Sequence, residues 1–409
     1  MADGAQGGTG PVGGFGSARA ILGIATLSLG SFLVGAMLTV VIPILPNIAA
    51  EMSGQDISIA IQMLIAMPML GLVIGGLGSA LIFRRVAPRT VFLAALVAYG
   101  LVGVVGYFVS LPVLIGSRLL IGMIAATIAA ASTALVGERV PELLRPRVLG
   151  WSVAGASALG IVAMILSGRV ADAYGWRASF LLFPVIAAIM FLLAATCSER
   201  SVAQTGARRG GERDWRGLAL LWPVFAFVVL VNMTAFTTNS QSSFLLADLG
   251  IASAEGRARM MGINLATIFA AAILFPLVRA KVGMIFLPAL ILGVIGGGLV
   301  LFARALDIPA AALGLALLGI GNGLLFPYQT SLLLQRASPE LRGQAAGLVV
   351  SCQFLADAIN PLLLGPVIVV FGLRTAIAWV GIATVAGCIA ALAHGLRQRR
   401  AEGVRAAAV

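Results

Sequence analysis

The chain has 409 residues, of which 60% are hydrophobic and only 10% charged, and its net charge is +12. A soluble domain carries about 25% charged residues, so a water-soluble fold of this size would have far more surface than charge to cover it. The basic residues are nearly all Arg, with Lys281 the only Lys, scattered in short clusters between apolar runs. No basic face with interleaved aromatics marks a nucleic-acid surface, and the lipid bilayer is the expected surroundings.

Taken in chain order, residues 1–18 are rich in Gly and read as a flexible cytoplasmic tail. A helix crossing about 30 Å of hydrocarbon needs about 20 apolar residues. Charge-free stretches, divided at Pro, Gly and polar punctuation, predict twelve spans, at 20–45, 57–82, 90–110, 113–136, 148–168, 178–197, 217–245, 259–279, 284–303, 309–333, 345–370 and 374–396. The longest polar stretch, SERSVAQTGARRGGERDWR, lies at mid-chain. It reads as a cytoplasmic linker at 198–216 between six-helix bundles at 19–197 and 217–397, followed by a cytoplasmic tail at 398–409.

Topology follows from the basic residues. With the N-terminus inside, twenty Arg or Lys fall in inside segments. Six (Arg169, Arg177, Arg257, Arg259, Arg304 and Arg374) fall outside, and Arg118 lies within a span. That asymmetry predicts both termini in the cytoplasm. Cys197, Cys352 and Cys388 are far apart and His394 is the only His, so neither a disulfide framework nor a metal site is expected. No GxxxxGK[ST] phosphate loop occurs, which leaves no support for direct ATP use. No cofactor is expected, and no His/Cys/Asp cluster or nucleophile motif suggests an enzyme.

The two halves echo each other. VPELLRPRVLG, Val140 to Gly150, follows span four, and SPELRGQAAG, Ser338 to Gly347, follows span ten, with Pro141 and Pro339 198 positions apart. Gly175-Trp176-Arg177 precedes span six and Gly372-Leu373-Arg374 precedes span twelve, 197 positions apart. Two matches at nearly one offset indicate a duplication with both halves running in the same direction.

These stretches, with GRVADAYGWRASF and GIGNGLLFPYQTSLLLQRASPELRGQAAGLVVSCQFLADAINPLLLGP, resemble the major facilitator superfamily, in its drug-efflux-like and sugar-efflux-like branch. The resemblance implies an all-α membrane fold of twelve helices in two pseudo-symmetric six-helix bundles. It also implies alternating access across a bacterial inner membrane by a monomer. The family's acidic motif between spans two and three is absent: GSALIFRRVAPRT keeps Arg85 and Arg89 at basic positions, but no acid occurs between Asp56 and Glu138. An inner gate would then rest on Arg85 and Arg89 with Glu138 or Glu142. In span five, Met164 and Ile165 stand where the family's antiporter-like Gly-Pro pair would fall.

By the same resemblance, spans one, four, seven and ten line a central cavity. Polar side chains there are solute-binding candidates: Asn232, Thr234, Thr237 and Thr238 in span seven, and Asn322, Tyr328 and Gln329 around Pro327 in span ten. Arg118 in span four is an intramembrane charge that would bind an anionic group, or else snorkel outward. Asp357 is the one carboxylate well inside a span and the candidate for proton coupling. Its structural alternative is a hydrogen bond to Gln353, Asn360 or Gln62. Gly71, Gly75, Gly155, Gly160, Gly319 and Gly323 have the spacing of close helix contacts. The reading is proton-coupled efflux of a small drug-like molecule or metabolite. Uptake of an organic anion and a non-transporting receptor or assembly subunit are the alternatives.

Overall fold

The computed structural model describes residues 29–51, 57–83, 85–140, 145–197, 215–338 and 341–407. The tail at 1–18 and most of the linker at 198–216 lie outside the described residues. Twelve helical crossings follow one another: α1 (Gly30–Glu51), α2 (Ile57–Ile82), α3 (Pro88–Phe108), α4 (Leu111–Arg139), α5 (Arg145–Tyr174), α6 (Leu182–Cys197, led by a 3-10 turn at Trp176–Leu181), α7 (Trp222–Asp248), α8 (Ala254–Val282), α9 (Leu287–Ala303), α10 (Ile308–Arg336), α11 (Arg342–Phe371) and α12 (Leu373–Ala407). Helix α9 has 17 residues, about 26 Å at 1.5 Å per residue, which is the lower limit for a crossing.

Helix α1 is broken. An α-helix at Gly30–Thr39 gives way to a 3-10 turn at Ile42–Ile44, then to a second helix at Leu45–Glu51. Pro43 and Pro46 cause the break, because neither has an N–H to continue the ladder. Carbonyls near the break are taken up by side chains from other helices. Ser167 of α5 donates to Val40 O at 2.5 Å, and Ser243 of α7 donates to Pro43 O at 3.2 Å.

Glycine sets how closely the helices approach. A Cβ on Gly122 would lie 2.1 Å from Pro68 O, and one on Gly71 2.2 Å from Leu119 O, so α2 and α4 meet backbone to backbone. In the second half, a Cβ on Gly319 would lie 1.9 Å from Thr267 Oγ1 and one on Gly323 2.2 Å from Ile268 O, joining α10 to α8. Close approach through small residues is how helices associate where lipid removes the hydrophobic drive. Gly155 and Gly160 sit in looser contacts, at 3.0 and 3.4 Å from Leu29 and Leu265 side-chain atoms.

The duplication is visible in detail. Arg177 pairs with Glu51 at the joint between α1 and α6, and Arg374 pairs with Asp248 at 2.6 Å at the joint between α7 and α12. Glu51 and Asp248 are 197 positions apart, as are Arg177 and Arg374. The glycines that precede the two arginines, Gly175 and Gly372, have φ of 85° and 82°, a left-handed turn that a side chain would strain.

Candidate functional site

The two halves are bonded together at the face opposite the chain termini. Helix α8 supplies most of the contacts. Its backbone N–H groups at Ala254 and Glu255 donate to Asp172 of α5 at 2.8 and 2.9 Å, so a carboxylate from one half caps the helix of the other and meets the positive end of its dipole. Glu255 also pairs with Arg169 at 2.7 Å and with Arg259 at 2.5 Å.

Beneath that surface lies Arg257, only 1% exposed. Its guanidinium donates to Pro43 O at 3.1 and 2.9 Å, to Ile251 O at 3.0 Å, to Ala252 O at 2.6 Å, and to Asn47 Oδ1. All three guanidinium nitrogens are thereby engaged, and two of them reach across to α1. Counted in the sequence among the outer basic residues, Arg257 instead lies inside α8 and is buried. The signal that could have found it is the Pro43–Pro46 pair, which leaves carbonyls in the middle of a span that must find donors.

Contact across the halves continues where α2 packs on α11 and α5 on α8. Toward the termini it fades. The part of α1 beyond Pro43 packs on α7 and α8, whereas Gly30–Thr39 has no comparable packing on the second half among the described residues. Nor does α4 pack on α10. Between α1 and α4 on one side and α7 and α10 on the other, the halves are therefore less closely packed toward the termini than at the opposite face.

A polar stripe lies on α7, α10 and α11. Gln353 donates to Gln329 Oε1 at 2.6 Å. Asn360 donates to Thr237 Oγ1 at 2.8 Å and to Met233 O at 2.7 Å, and accepts from Ser240 at 3.0 Å. Gln241 donates to Ser240 Oγ at 3.3 Å and, across the halves, to Gln62 Oε1 of α2 at 3.1 Å. Gln62 is set there by Gly365, whose Cβ position lies 3.0 Å from Gln62 Cγ. These bonds form two separate sets, Thr237 with Asn360, Ser240, Gln241 and Gln62 in one, and Gln329 with Gln353 in the other. Of the three partners expected for Asp357 as a structural group (Gln353, Asn360 and Gln62), each is bonded elsewhere.

The other candidates fall as follows. Asn232 and Thr234 bond to backbone carbonyls one turn back, Val228 O at 2.7 Å and Val231 O at 2.8 Å. Thr238 is buried with its hydroxyl unpartnered. Asn322 Oδ1 and Gln329 Nε2 are buried without a hydrogen-bond partner among the described residues. Tyr328 is buried against Phe227 of α7, ring centroids 5.8 Å apart. Arg85 is exposed beyond α2, and Arg89 lies in the first turn of α3. The side chain of Glu138 and all of Glu142 lie outside the described residues.

Arg118 is not brought to this region. It is 1% exposed and sits over the rings of Phe180 and Phe183, 5.0 and 5.2 Å from their centroids. Phe180 lies in the 3-10 turn before α6 and Phe183 in the first turn of α6, and they nest against Gly106 and Gly103 of α3. The guanidinium makes no hydrogen bond among the described residues. An aromatic cage in the first half holds it by cation–π attraction, worth about 2 kcal/mol or more where water is excluded.

Solved structures share this architecture. The nucleoside transporter NupG aligns with a TM-score of 0.72 at 14% identity, over 90% of this chain and 99% of that one. A bacterial homologue of the human lysosomal transporter Spinster, solved inward-facing and unoccupied, aligns at 0.74 and 15%, over 94% and 98%. The D-xylose-proton symporter aligns at 0.70 and 16%, over 91% and 97%. At such identities the likeness speaks for the fold alone.

The chain belongs to the Major Facilitator Superfamily, whose family pattern matches residues 27–361. Among curated relatives, the multidrug efflux pump Tap of Mycolicibacterium fortuitum is 31% identical over 113 residues, 27% of this chain and 28% of that protein. The drug efflux pump JefA of Mycobacterium tuberculosis is 27% identical over 241 residues, 58% of this chain and 46% of that protein. The matches thus span less than half the length of these relatives.

Proposed function

We propose that the chain is a proton-coupled exporter of a small drug-like molecule or metabolite, working as a monomer in a bacterial inner membrane with both termini in the cytoplasm. One observation carries this reading: the halves are bonded at one face and parted toward the other. With the Arg-rich loops in the cytoplasm, the parted side faces the cytoplasm, the state in which an exporter takes up its load. Rocking of the two bundles about the cleft would then exchange that opening for one on the far side. The naming of Tap and JefA as efflux pumps supports the same direction.

In this reading Asn232, Thr234, Thr237, Thr238, Asn322, Tyr328 and Gln329 contact the solute, and Asp357 carries the proton. A carboxylate within a span, reached by water from alternate sides as the bundles rock, would load a proton on one side and release it on the other.

The test is accumulation of a panel of fluorescent drug-like molecules in inverted membrane vesicles carrying the protein. Uptake should require a proton gradient, stop on addition of a protonophore, and be lost in Asp357→Asn. Uptake that persists after the gradient has collapsed would remove proton coupling. Whole-cell accumulation raised by the protein would reverse the direction.

A further inference from the structure

A set of cations that the seal does not use stands at the ends of two helices of the second half. Helices α9 and α12 pack antiparallel in a fixed register. Cβ positions at Gly381, Gly296, Gly293 and Gly395 fall against Val300, Val385, Cys388 and Phe286, at 2.8, 2.8, 3.1 and 3.1 Å. Gly395 of α12 is therefore level with Phe286, the residue before α9 begins. Helix α12 does not end there. It has 35 residues, about 52 Å at 1.5 Å per residue, against about 30 Å of hydrocarbon. Arg397, Arg399 and Arg400 follow Gly395, reaching about 3–8 Å beyond it, which is the depth of the head-group layer. On the other side of the connection at 283–286 stand Arg279 and Lys281, in the last turn of α8.

All five side chains are exposed, and none is in an ion pair among the described residues. The sequence offers them little counter-charge. No acid occurs between Glu255 and Asp307, and Glu402 is the only acid after Asp357. The side chain of Glu402 lies outside the described residues. Each cation group continues an exposed apolar stripe. Ile273, Leu277 and Lys281, at i, i+4 and i+8, share one face of α8, and Ile389, Leu392, Leu396 and Arg399, at i, i+3, i+7 and i+10, share one face of α12. The first half holds no copy of this arrangement. At the offset of 197, Arg399 and Arg400 correspond to Val202 and Ala203, and Arg279 to Ile82. A charge bias that only sets orientation counts basic residues along loops. It does not ask for three arginines on a helix that runs past the hydrocarbon, beside two further cations and above apolar stripes.

We infer that these five residues form a binding surface for the head group of an anionic phospholipid. The guanidinium forks donate to phosphate oxygens, Lys281 adds a point charge, and the acyl chains lie along the stripes of α8 and α12. Basic surfaces at the ends of membrane helices attract such head groups. The leaflet concerned follows from the topology proposed above, whereas the site itself depends neither on that topology nor on the solute.

The experiment uses the full chain in detergent, titrated with phosphatidylglycerol and phosphatidylcholine of the same acyl chains, with bound lipid counted by native mass spectrometry. Each basic group near an anionic lipid contributes about fivefold, so phosphatidylglycerol should bind about tenfold tighter than phosphatidylcholine or better. Lys281→Gln combined with Arg399→Gln and Arg400→Gln should bring the two lipids to within about twofold of each other. Arg399→Lys with Arg400→Lys should keep most of the preference, and Arg304→Gln, at the far end of α9, should leave it unchanged. The contrast between lipids on the unaltered protein stands even if a variant fails to fold. Equal binding of the two lipids, or a preference that survives in the triple variant, overturns the site. Displacement of phosphatidylglycerol by millimolar inorganic phosphate also overturns it, since the surface would then hold the free ion rather than a lipid.

Discussion

The two halves of this molecule share a scaffold and differ in chemistry. Glu51 with Arg177 and Asp248 with Arg374 form the same joint twice, at one offset. Gly122 and Gly319, also 197 positions apart, each let a cleft-lining helix touch the backbone of an interface helix. The buried charges are not repeated. Counting by the same offset, Leu315 stands where Arg118 has its counterpart, and Gly160 where Asp357 has its own. The first half encloses its cation in aromatic rings, whereas the second carries an unpaired acid beside a hydrogen-bonded stripe. Duplication supplies the scaffold of both bundles, and the buried charges set the two apart.

The largest effects should come from breaking the shared scaffold. Gly122→Val and Gly319→Val each force side-chain atoms into positions within about 2 Å of a neighbouring helix. Both should lower the unfolding midpoint severely, by about 3 kcal/mol or more, or prevent recovery of monodisperse protein. Similar losses in the two halves would bear out the shared scaffold; tolerance of either would break it.

Next comes the seal between the halves. Arg257→Ala leaves Pro43 O with Ser243 as its donor, takes the donor from Asn47 Oδ1, Ile251 O and Ala252 O, and should cost about 3 kcal/mol. It should also shift the population toward opening at the face opposite the termini, read as faster thiol labelling of a cysteine introduced at Asn47. Labelling no faster than in the unaltered chain would mean that Arg257 is not the latch.

Arg118→Met sharpens the contrast between the halves. A buried cation without a hydrogen bond is replaced by an apolar chain of similar length, so stability should hold or rise, by about 1–2 kcal/mol. A large loss of stability would show that the aromatic cage depends on the charge. The smallest effects belong to the repeated ion pairs, which are well exposed and worth less than about 1 kcal/mol. Arg374→Gln should cost more than Arg177→Gln, because Arg374 also donates to Ala305 O at 2.6 Å.

Much of the fold was legible because lipid imposes a simple rule: backbone polar groups must be satisfied within each crossing. That rule shows itself as long uncharged runs, and the span at 57–82 coincides with α2. The broken form of α1 was missed because hydropathy does not register a lost N–H, although Pro43 and Pro46 were in view. The polar residues of span seven were legible as a set, since lipid-facing positions could not carry them. Their partners were not, because Asn360, Gln62 and Gln353 are joined to them only by the fold. Arg118 misled for a related reason: an Arg in a span implies a partner, and the sequence does not reveal that the partners are aromatic faces. The seal at the face opposite the termini went unseen because Asp172 and Arg257 lie 85 positions apart and only the fold brings their helices together.

The central claim is that two bundles rock about the cleft, closing one face as they open the other. Double electron–electron resonance on two label pairs tests it most directly. Tyr174 and Leu306, exposed at the face opposite the termini, report the bonded side, and Val86 and Lys281 report the parted side. Under a proton gradient with solute, the first distance should lengthen as the second shortens, in one population. Distances that stay fixed in both pairs under every condition, or that change together, would contradict it.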